Sequence, residues 1–219
     1  MLAIRMGAQH EASSVRSQGA SNGHRLLRIA VTGGPGGGKT TAADLFRREI
    51  GEQVVVVPES ATTLFAGGFP RVAEPAALRS VQRAIFQVQR SQEDIHASLY
   101  PDRILLCDRG TVDGAVYWPD GSDGFFEAMG SSLQAELDRY DIVLFFETAA
   151  VGGLSWEGGN RYRVESDAEA VELDTSLREL WSLHPRFHLV PHNPSFLRKI
   201  TVALAILESV VANHRRSGG

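Results

Sequence analysis

The sequence predicts an α/β fold of three layers, with a five-stranded parallel sheet and helices on both of its faces. Three observations predict it. Short apolar runs at 26–32, 54–57, 104–107, 142–146 and 187–190 alternate with segments of helical spacing, the order that builds parallel strands joined by right-handed crossovers. A glycine-rich turn, GGPGGG, stands between the first run and the segment that follows it. The 219 residues accommodate one domain with a full core and leave no room for a second large one. No internal repeat of solenoid length is present.

The run 26–32 ends directly in the glycine turn, as a buried parallel strand does. Residues 40–50 carry Ala43, Leu45, Phe46 and Ile50 on one helical stripe, stopped by Gly51. The β-branched run 54–57 is closed by Pro58, so the second strand delivers Glu59 and Ser60 at its carboxyl end. A short helix is expected over 61–66. Glu74-Pro75 opens a long helix through about Leu99, and Pro101 ends it. The third strand, 104–107, delivers Asp108 and Arg109. Residues 131–140 read as helix, followed by the fourth strand at 142–146. Ala170, Leu173, Leu177, Leu180 and Trp181 recur at helical spacing within 167–183, the fifth strand is 187–190, and a closing helix spans 196–213.

Residues 33–40, GGPGGGKT, match the phosphate-binding template G-x-x-x-x-G-K-[ST] at every fixed position, in strand-to-helix context. The chain is thus expected to be a P-loop NTPase of kinase-like type. Polyphosphate oxygens are gripped by successive backbone N–H groups, which requires a close approach that side chains would block. Gly33, Gly34, Gly36, Gly37 and Gly38, with Pro35 among them, remove that obstruction. The following helix aims its free N–H groups, including those of Lys39, Thr40 and Thr41, at the same charge. Lys39 would reach the β and γ phosphates of ATP, and the Thr40 hydroxyl would ligate Mg²⁺. Of 22 basic residues only Lys39 and Lys199 are lysines. A compact ammonium fits inside a tight loop where a planar guanidinium does not.

In parallel sheets of this kind ligands sit beyond the carboxyl ends of the strands. Asp108, following an apolar strand, is placed to hold Mg²⁺ directly or through water. A helix N-cap is its plainer role. Arg109 would grip an acceptor or the migrating phosphoryl group, or else form a surface ion pair. Glu59 would accept the proton of an acceptor hydroxyl or hold it by a hydrogen bond, unless it only caps the next helix. Glycines at 152, 153, 158 and 159 precede Asn160-Arg161-Tyr162-Arg163. They read as a hinged flap whose Arg161 and Arg163 close over the phosphates, with a solvated charge pair as the alternative. Asp113 and Tyr117 are expected to line an acceptor pocket or to fill ordinary helix and core roles. Gln82, Gln87 and Gln89 would read a base or amide of the substrate, or form a polar helix face. The histidines show no metal-binding spacing, and His192 is expected near the nucleotide base rather than in catalysis.

Net charge is −4, with no broad basic field, so nucleic acid is not an expected partner. The single Cys107 cannot close an internal disulfide and sits in an apolar strand, which fits a buried thiol in a reducing cytoplasm. No run reaches the roughly 18 apolar residues of a membrane span. Residues 1–24, rich in Ser, Gly, Ala and Gln with one acid, are expected to be a disordered leader. The P-loop domain would then occupy 25–214, with 215–219 as a frayed tail.

Five segments in this order, GGPGGGKTT, VPESATTL, CDRGTVDGAVYW, NRYRVESDAEA and PHNPSFLRKI, resemble one small P-loop family. It groups the ribosylnicotinamide kinase domain of NadR with the TRPL translocation defect protein and is often labelled an AAA domain. The resemblance covers roughly residues 26–210. The chain is also similar to deoxynucleoside and thymidylate kinases, where an acid after the second strand, an Asp-Arg pair after the third and a lid with two arginines act together. The resemblance implies that Glu59 is the acceptor-side acid, Asp108-Arg109 the Asp-Arg pair, and Arg161 and Arg163 the lid arginines. It implies two outcomes. One is an ATP- and Mg²⁺-dependent kinase acting on a hydroxyl of a small, nucleoside-like acceptor. The other is a nucleotide-binding regulatory switch or slow NTPase with a protein or phospholipid partner. Glu59 at the acceptor position favours the kinase, since hydrolysis alone needs no shaped acceptor pocket. No Asn-Lys-x-Asp guanine-reading motif is present.

Overall fold

The computed structural model describes residues 26–152 and 166–217. Its five strands are β1 (Leu27–Thr32), β2 (Val54–Val57), β3 (Ile104–Asp108), β4 (Ile142–Phe146) and β5 (Phe187–Val190). They form one sheet in the order β2-β3-β1-β4-β5, and every pairing is parallel. The helices are α1 (Lys39–Ile50), α2 (Ser60–Ala66), α3 (Pro75–Leu99), α4 (Asp123–Ala128), α5 (Leu133–Leu137), α6 (Asp167–Trp181) and α7 (Phe196–Ser217). The expected α/β architecture, five parallel strands between helical layers, is the observed one.

Strand alternation divides the core into two halves. Ile29, Val31, Leu106, Leu144 and Phe146 point to one face, where Phe46 of α1 and Ile200, Ala203 and Leu207 of α7 cover them. Ala30, Leu105, Cys107, Val143 and Phe145 point to the other, packed by Phe86 of α3, Phe125 of α4, and Leu177 and Trp181 of α6. Central strands buried on both faces explain why these runs read as continuously apolar rather than alternating. Cys107 is fully buried, and burial pushes its thiol well above the usual range.

Several boundaries differ from expectation. Strand β3 takes in Asp108, whose backbone pairs with Val31. The helix expected over 131–140 is only α5, started by the Ser132 hydroxyl accepting from the Ala135 N–H. Residues Thr111–Tyr117 form a 3-10 helix, and α4 follows it. Both lie in a stretch for which the sequence assigns no element, and both form because Val112, Ala115, Phe125 and Phe126 are driven into the core. Helix α6 stops at Trp181, two residues short of Leu183, which is 64% exposed. Helix α7 continues to Ser217, into the segment expected to fray. The leader at 1–24 lies outside the described residues. No helix among them is long and apolar enough to cross a membrane.

Candidate active site

Strand β1 lies between β3 and β4, so its carboxyl end opens where the chain order reverses, the place where such sheets accommodate ligands. There the glycine loop turns sharply. Gly33 has φ +126° and Gly38 φ +86°, conformations that a side chain resists. Gly38 is also the left-handed cap of α1. With no capping side chain and no acid in the first turn, the positive end of this twelve-residue helix is left for an external anion. The N–H groups of Gly36, Gly38, Lys39 and Thr40 have no acceptor among the described residues.

Lys39 is 7% exposed and folds back so that its Nζ donates to Gly34 O at 2.7 Å. Burial and the nearby Arg109 guanidinium lower its pKa to about 7, against the opposing pull of Asp108, Glu59 and Asp113. A bound polyphosphate supplies the missing negative charge and raises that pKa. Above about pH 7 the protein must therefore take up a proton at Lys39 as it binds. At pH 8, calorimetry in buffers of different ionisation enthalpy should show uptake approaching one proton per ATP, and at pH 6 almost none. Equal uptake at both values would contradict this assignment.

Asp108 sits across from the start of α1. Its Oδ2 accepts from the Thr40 hydroxyl at 2.7 Å, while Oδ1 is buried without a partner. Burial raises its pKa, with Glu59 adding to the effect and Thr40, Lys39 and Arg109 opposing it. A carboxylate oxygen left unsatisfied inside the protein is expensive. A cation at this point would relieve it, and a hydroxyl beside a carboxylate is a suitable hard-oxygen donor pair for Mg²⁺. Among the described residues no cluster of three His, Cys, Asp or Glu side chains is assembled to hold a metal.

Arg109 connects the rest. It is the only non-glycine among the described residues with positive φ, at +70°, a strained position that its contacts over-determine. Its N–H donates to Val31 O at 3.0 Å. Its Nε donates to Glu59 Oε1 at 2.6 Å, and a terminal nitrogen to Asp113 Oδ2 at 2.9 Å. Burial works against its charge, but Tyr117, Glu59 and Asp113 hold the guanidinium firmly protonated. For Glu59, burial would raise the pKa, yet Arg109, the Thr62 hydroxyl at 2.6 Å and Lys39 together hold the carboxyl below its usual range.

Asp113 is more heavily committed than its expected place in a pocket implies. Its Oδ1 accepts from the Thr32 hydroxyl and from Trp181 Nε1, each at 2.8 Å, so it ties β1, α6 and Arg109 together. It still lines, with Tyr117, a cavity of about 220 Å³ that starts at Glu59 and Arg109. The cavity wall is apolar and aromatic, with Phe65, Val81, Ile85, Phe86 and Phe125. The three glutamines separate in function. Gln82 lines the cavity, is 6% exposed and has no hydrogen-bond partner among the described residues. Gln89 is consumed by Ser60, Glu93 and the Arg109 carbonyl. Gln87 is exposed outside the cavity.

The first residues of the sequence-predicted site thus converge: the glycine loop, Lys39, Thr40, Glu59, Asp108, Arg109, Asp113 and Tyr117. Thr41 is exposed on the first turn of α1. Arg161 and Arg163 lie outside the described residues. His192 donates its backbone N–H to Glu147 Oε2 at 2.7 Å.

Three supports went unread in the sequence. Asp174 of α6, 4% exposed, accepts from the N–H groups of Gly34 at 2.7 Å and Thr148 at 2.9 Å. The Thr148 hydroxyl donates to Pro35 O. Lys199 donates to Gly37 O at 2.9 Å. Only Lys199 carried a signal, as the second of two lysines.

Sequence comparison finds no match among curated proteins. Among solved structures, shikimate kinase from Acinetobacter baumannii in complex with shikimate is similar in fold. The superposition covers 86% of this chain and 94% of that one, with a TM-score of 0.50 and 15% sequence identity. The three-layer P-loop, kinase-like architecture is shared. The AAA domain family profile matches residues 28–193, a span that holds the glycine loop, Glu59, Asp108 and Arg109. The chain belongs to that AAA domain family.

Proposed function

We propose that this protein is a Mg²⁺-dependent, ATP-binding kinase that transfers the γ-phosphoryl group to a hydroxyl of a small, nucleoside-like acceptor. One observation carries the reading. The cavity of about 220 Å³ opens onto the Glu59–Arg109 pair beside the phosphate loop, and such a walled chamber serves an acceptor larger than water. Its aromatic and aliphatic wall suits a flat ring. The Gln82 amide, without a partner among the described residues, offers one donor and one acceptor edge to a base or carboxamide.

In this reading the loop amides and Lys39 cradle the phosphates, and Thr40 and Asp108 would hold Mg²⁺, which would supply charge neutralisation for the transferring group. Glu59 is ionised at neutral pH. Because Arg109 and Thr62 weaken it as a base, it holds the acceptor hydroxyl by a hydrogen bond and takes its proton late, as a loose phosphoryl transition state requires. Arg109 would grip the acceptor or the migrating phosphoryl group. Arg161 and Arg163 would close over the phosphates as a lid.

The test is ATP consumption measured against a panel of nucleosides and ring carboxamides, with GTP in parallel. Strong stimulation by one acceptor is the expected result. Uniform slow hydrolysis with every candidate would overturn the kinase reading in favour of a nucleotide switch. Gln82→Leu should then raise KM for the stimulating acceptor by about tenfold, the effect of one buried amide left unmatched, while KM for ATP stays within about twofold.

A further inference from the structure

We propose that Lys199 is a positioning residue of the phosphate loop: by gripping the Gly37 carbonyl from behind, it turns the Gly38 N–H toward the bound polyphosphate. The inference rests on the nucleotide-binding reading above and adds a residue from the far end of the chain. Lys199 is 4% exposed, and its Nζ donates to Gly37 O at 2.9 Å and to Glu147 O at 2.6 Å. The ammonium also lies 5.6 Å from the centre of the Phe146 ring. It has no carboxylate partner within 4.0 Å among the described residues. The two acids that favour its charge, Asp174 and Glu147, spend their oxygens on Gly34, Thr148, Arg178 and His192.

A buried cation of this kind is a poor way to build a core, since an apolar side chain of the same length fits at lower free energy. Burial pulls its pKa down to about 8 despite Asp174 and Glu147. What the ammonium supplies that a methionine would not is direction.

In a trans peptide the C=O and the following N–H point in opposite directions. Holding Gly37 O on the α7 side therefore sends the Gly38 N–H to the opposite side, and that N–H has no acceptor among the described residues. The same logic applies two residues earlier. The Thr148 hydroxyl holds Pro35 O, so the Gly36 N–H is directed the opposite way.

This loop needs external anchoring more than most, because Gly36, Gly37 and Gly38 stand in succession and glycine tolerates both orientations of a peptide unit. Released, a flipped unit would present a carbonyl to the phosphates. The first turn of α7 is built over the loop. A Cβ on Gly38 would come within 2.5 Å of Phe196 Cε2, one turn before Lys199.

The experiment measures affinities of Lys199→Met for ATP, ADP and adenosine by calorimetry with Mg²⁺, beside wild type and Arg198→Met, whose side chain is exposed on the same turn. Lys199→Met should lose about tenfold or more for ATP and ADP, keep wild-type affinity for adenosine, and melt no lower than wild type. Thr148→Val should repeat the selective loss, and Arg198→Met should bind all three normally. Wild-type affinity of Lys199→Met for ATP and ADP overturns the proposal, as does an equal loss for adenosine. Failure of wild type itself to bind ATP would instead refute the nucleotide-binding reading.

If Lys199→Met does not fold, the wild-type protein still decides. With only two lysines, the Nζ signals of ¹⁵N-lysine-labelled protein are assigned with a Lys39→Met sample. A Lys199 signal that shifts on adding ADP and Mg²⁺ supports the role, and one that ignores them overturns it.

Discussion

Lys39→Met should abolish detectable phosphoryl transfer and raise the Kd for ATP by about 10² to 10⁴, while the folded protein becomes more stable. Both effects have one cause. The ammonium is buried where, among the described residues, it makes a single close contact, to Gly34 O, so in the free protein it is a charge waiting for its ligand. With phosphate present it forms charge-assisted hydrogen bonds, about 1.5–3 kcal/mol each, and two of them account for the expected loss of affinity.

Without phosphate the balance reverses. Its pKa is lowered from 10.5 to about 7, a penalty on the charged form on the order of 5 kcal/mol. The unfolded chain binds the proton more tightly than the folded one. That penalty is therefore full below about pH 7, shrinks as pH rises and vanishes above 10.5. The gain in melting temperature on Lys39→Met should accordingly be larger at pH 6.5 than at pH 9. A mutant that binds ATP normally, or one destabilised at pH 6.5, would refute the account.

Glu59→Gln should leave ATP affinity within about twofold of wild type and lower transfer to the acceptor by roughly 10² or more. The substitution keeps the shape of the side chain: its carboxamide oxygen can accept from Arg109 Nε while its NH2 donates to the Thr62 hydroxyl, which accepts as well as donates. It removes the negative charge facing Arg109 and the group proposed to receive the acceptor proton. Arg109 stays in place, because Asp113 holds it independently at 2.9 Å.

Glu59 should stay ionised in acid to below the usual carboxylate value of 4.5, since Arg109, Thr62 and Lys39 hold it there, so protonation of Glu59 does not set the acid limit of activity. On the same grounds Glu59 contributes stability above that value, which is lost as pH falls through the lowered folded pKa. Unchanged transfer in Glu59→Gln would remove the carboxylate from the proton path.

What the sequence discloses well is what depends on neighbours along the chain. The strands appear as apolar runs because both faces of the sheet are covered. The phosphate loop is legible because main-chain geometry, fixed by its own glycines, does the binding. Asp108 and Glu59 are legible because a residue at the carboxyl end of a parallel strand has few places to go. The 3-10 helix and α4 are not, because elements of seven and six residues carry little periodicity and it is the burial of Val112, Ala115 and Phe125 that fixes them.

The sequence by itself determined a phosphate cradle at the mouth of a parallel sheet, since local spacing and backbone freedom suffice for that. The tertiary structure alone decided how the cradle is held and what adjoins it. Asp174 reaches Gly34 across 140 positions of sequence and Lys199 reaches Gly37 across 162. Contacts at such separations leave no periodic trace, because the partner is chosen by helix packing rather than by spacing. The same holds for the cavity beside Glu59: α3 and the 3-10 helix meet only after the sheet has formed, and their meeting leaves the Gln82 amide without a partner among the described residues while it commits that of Gln89.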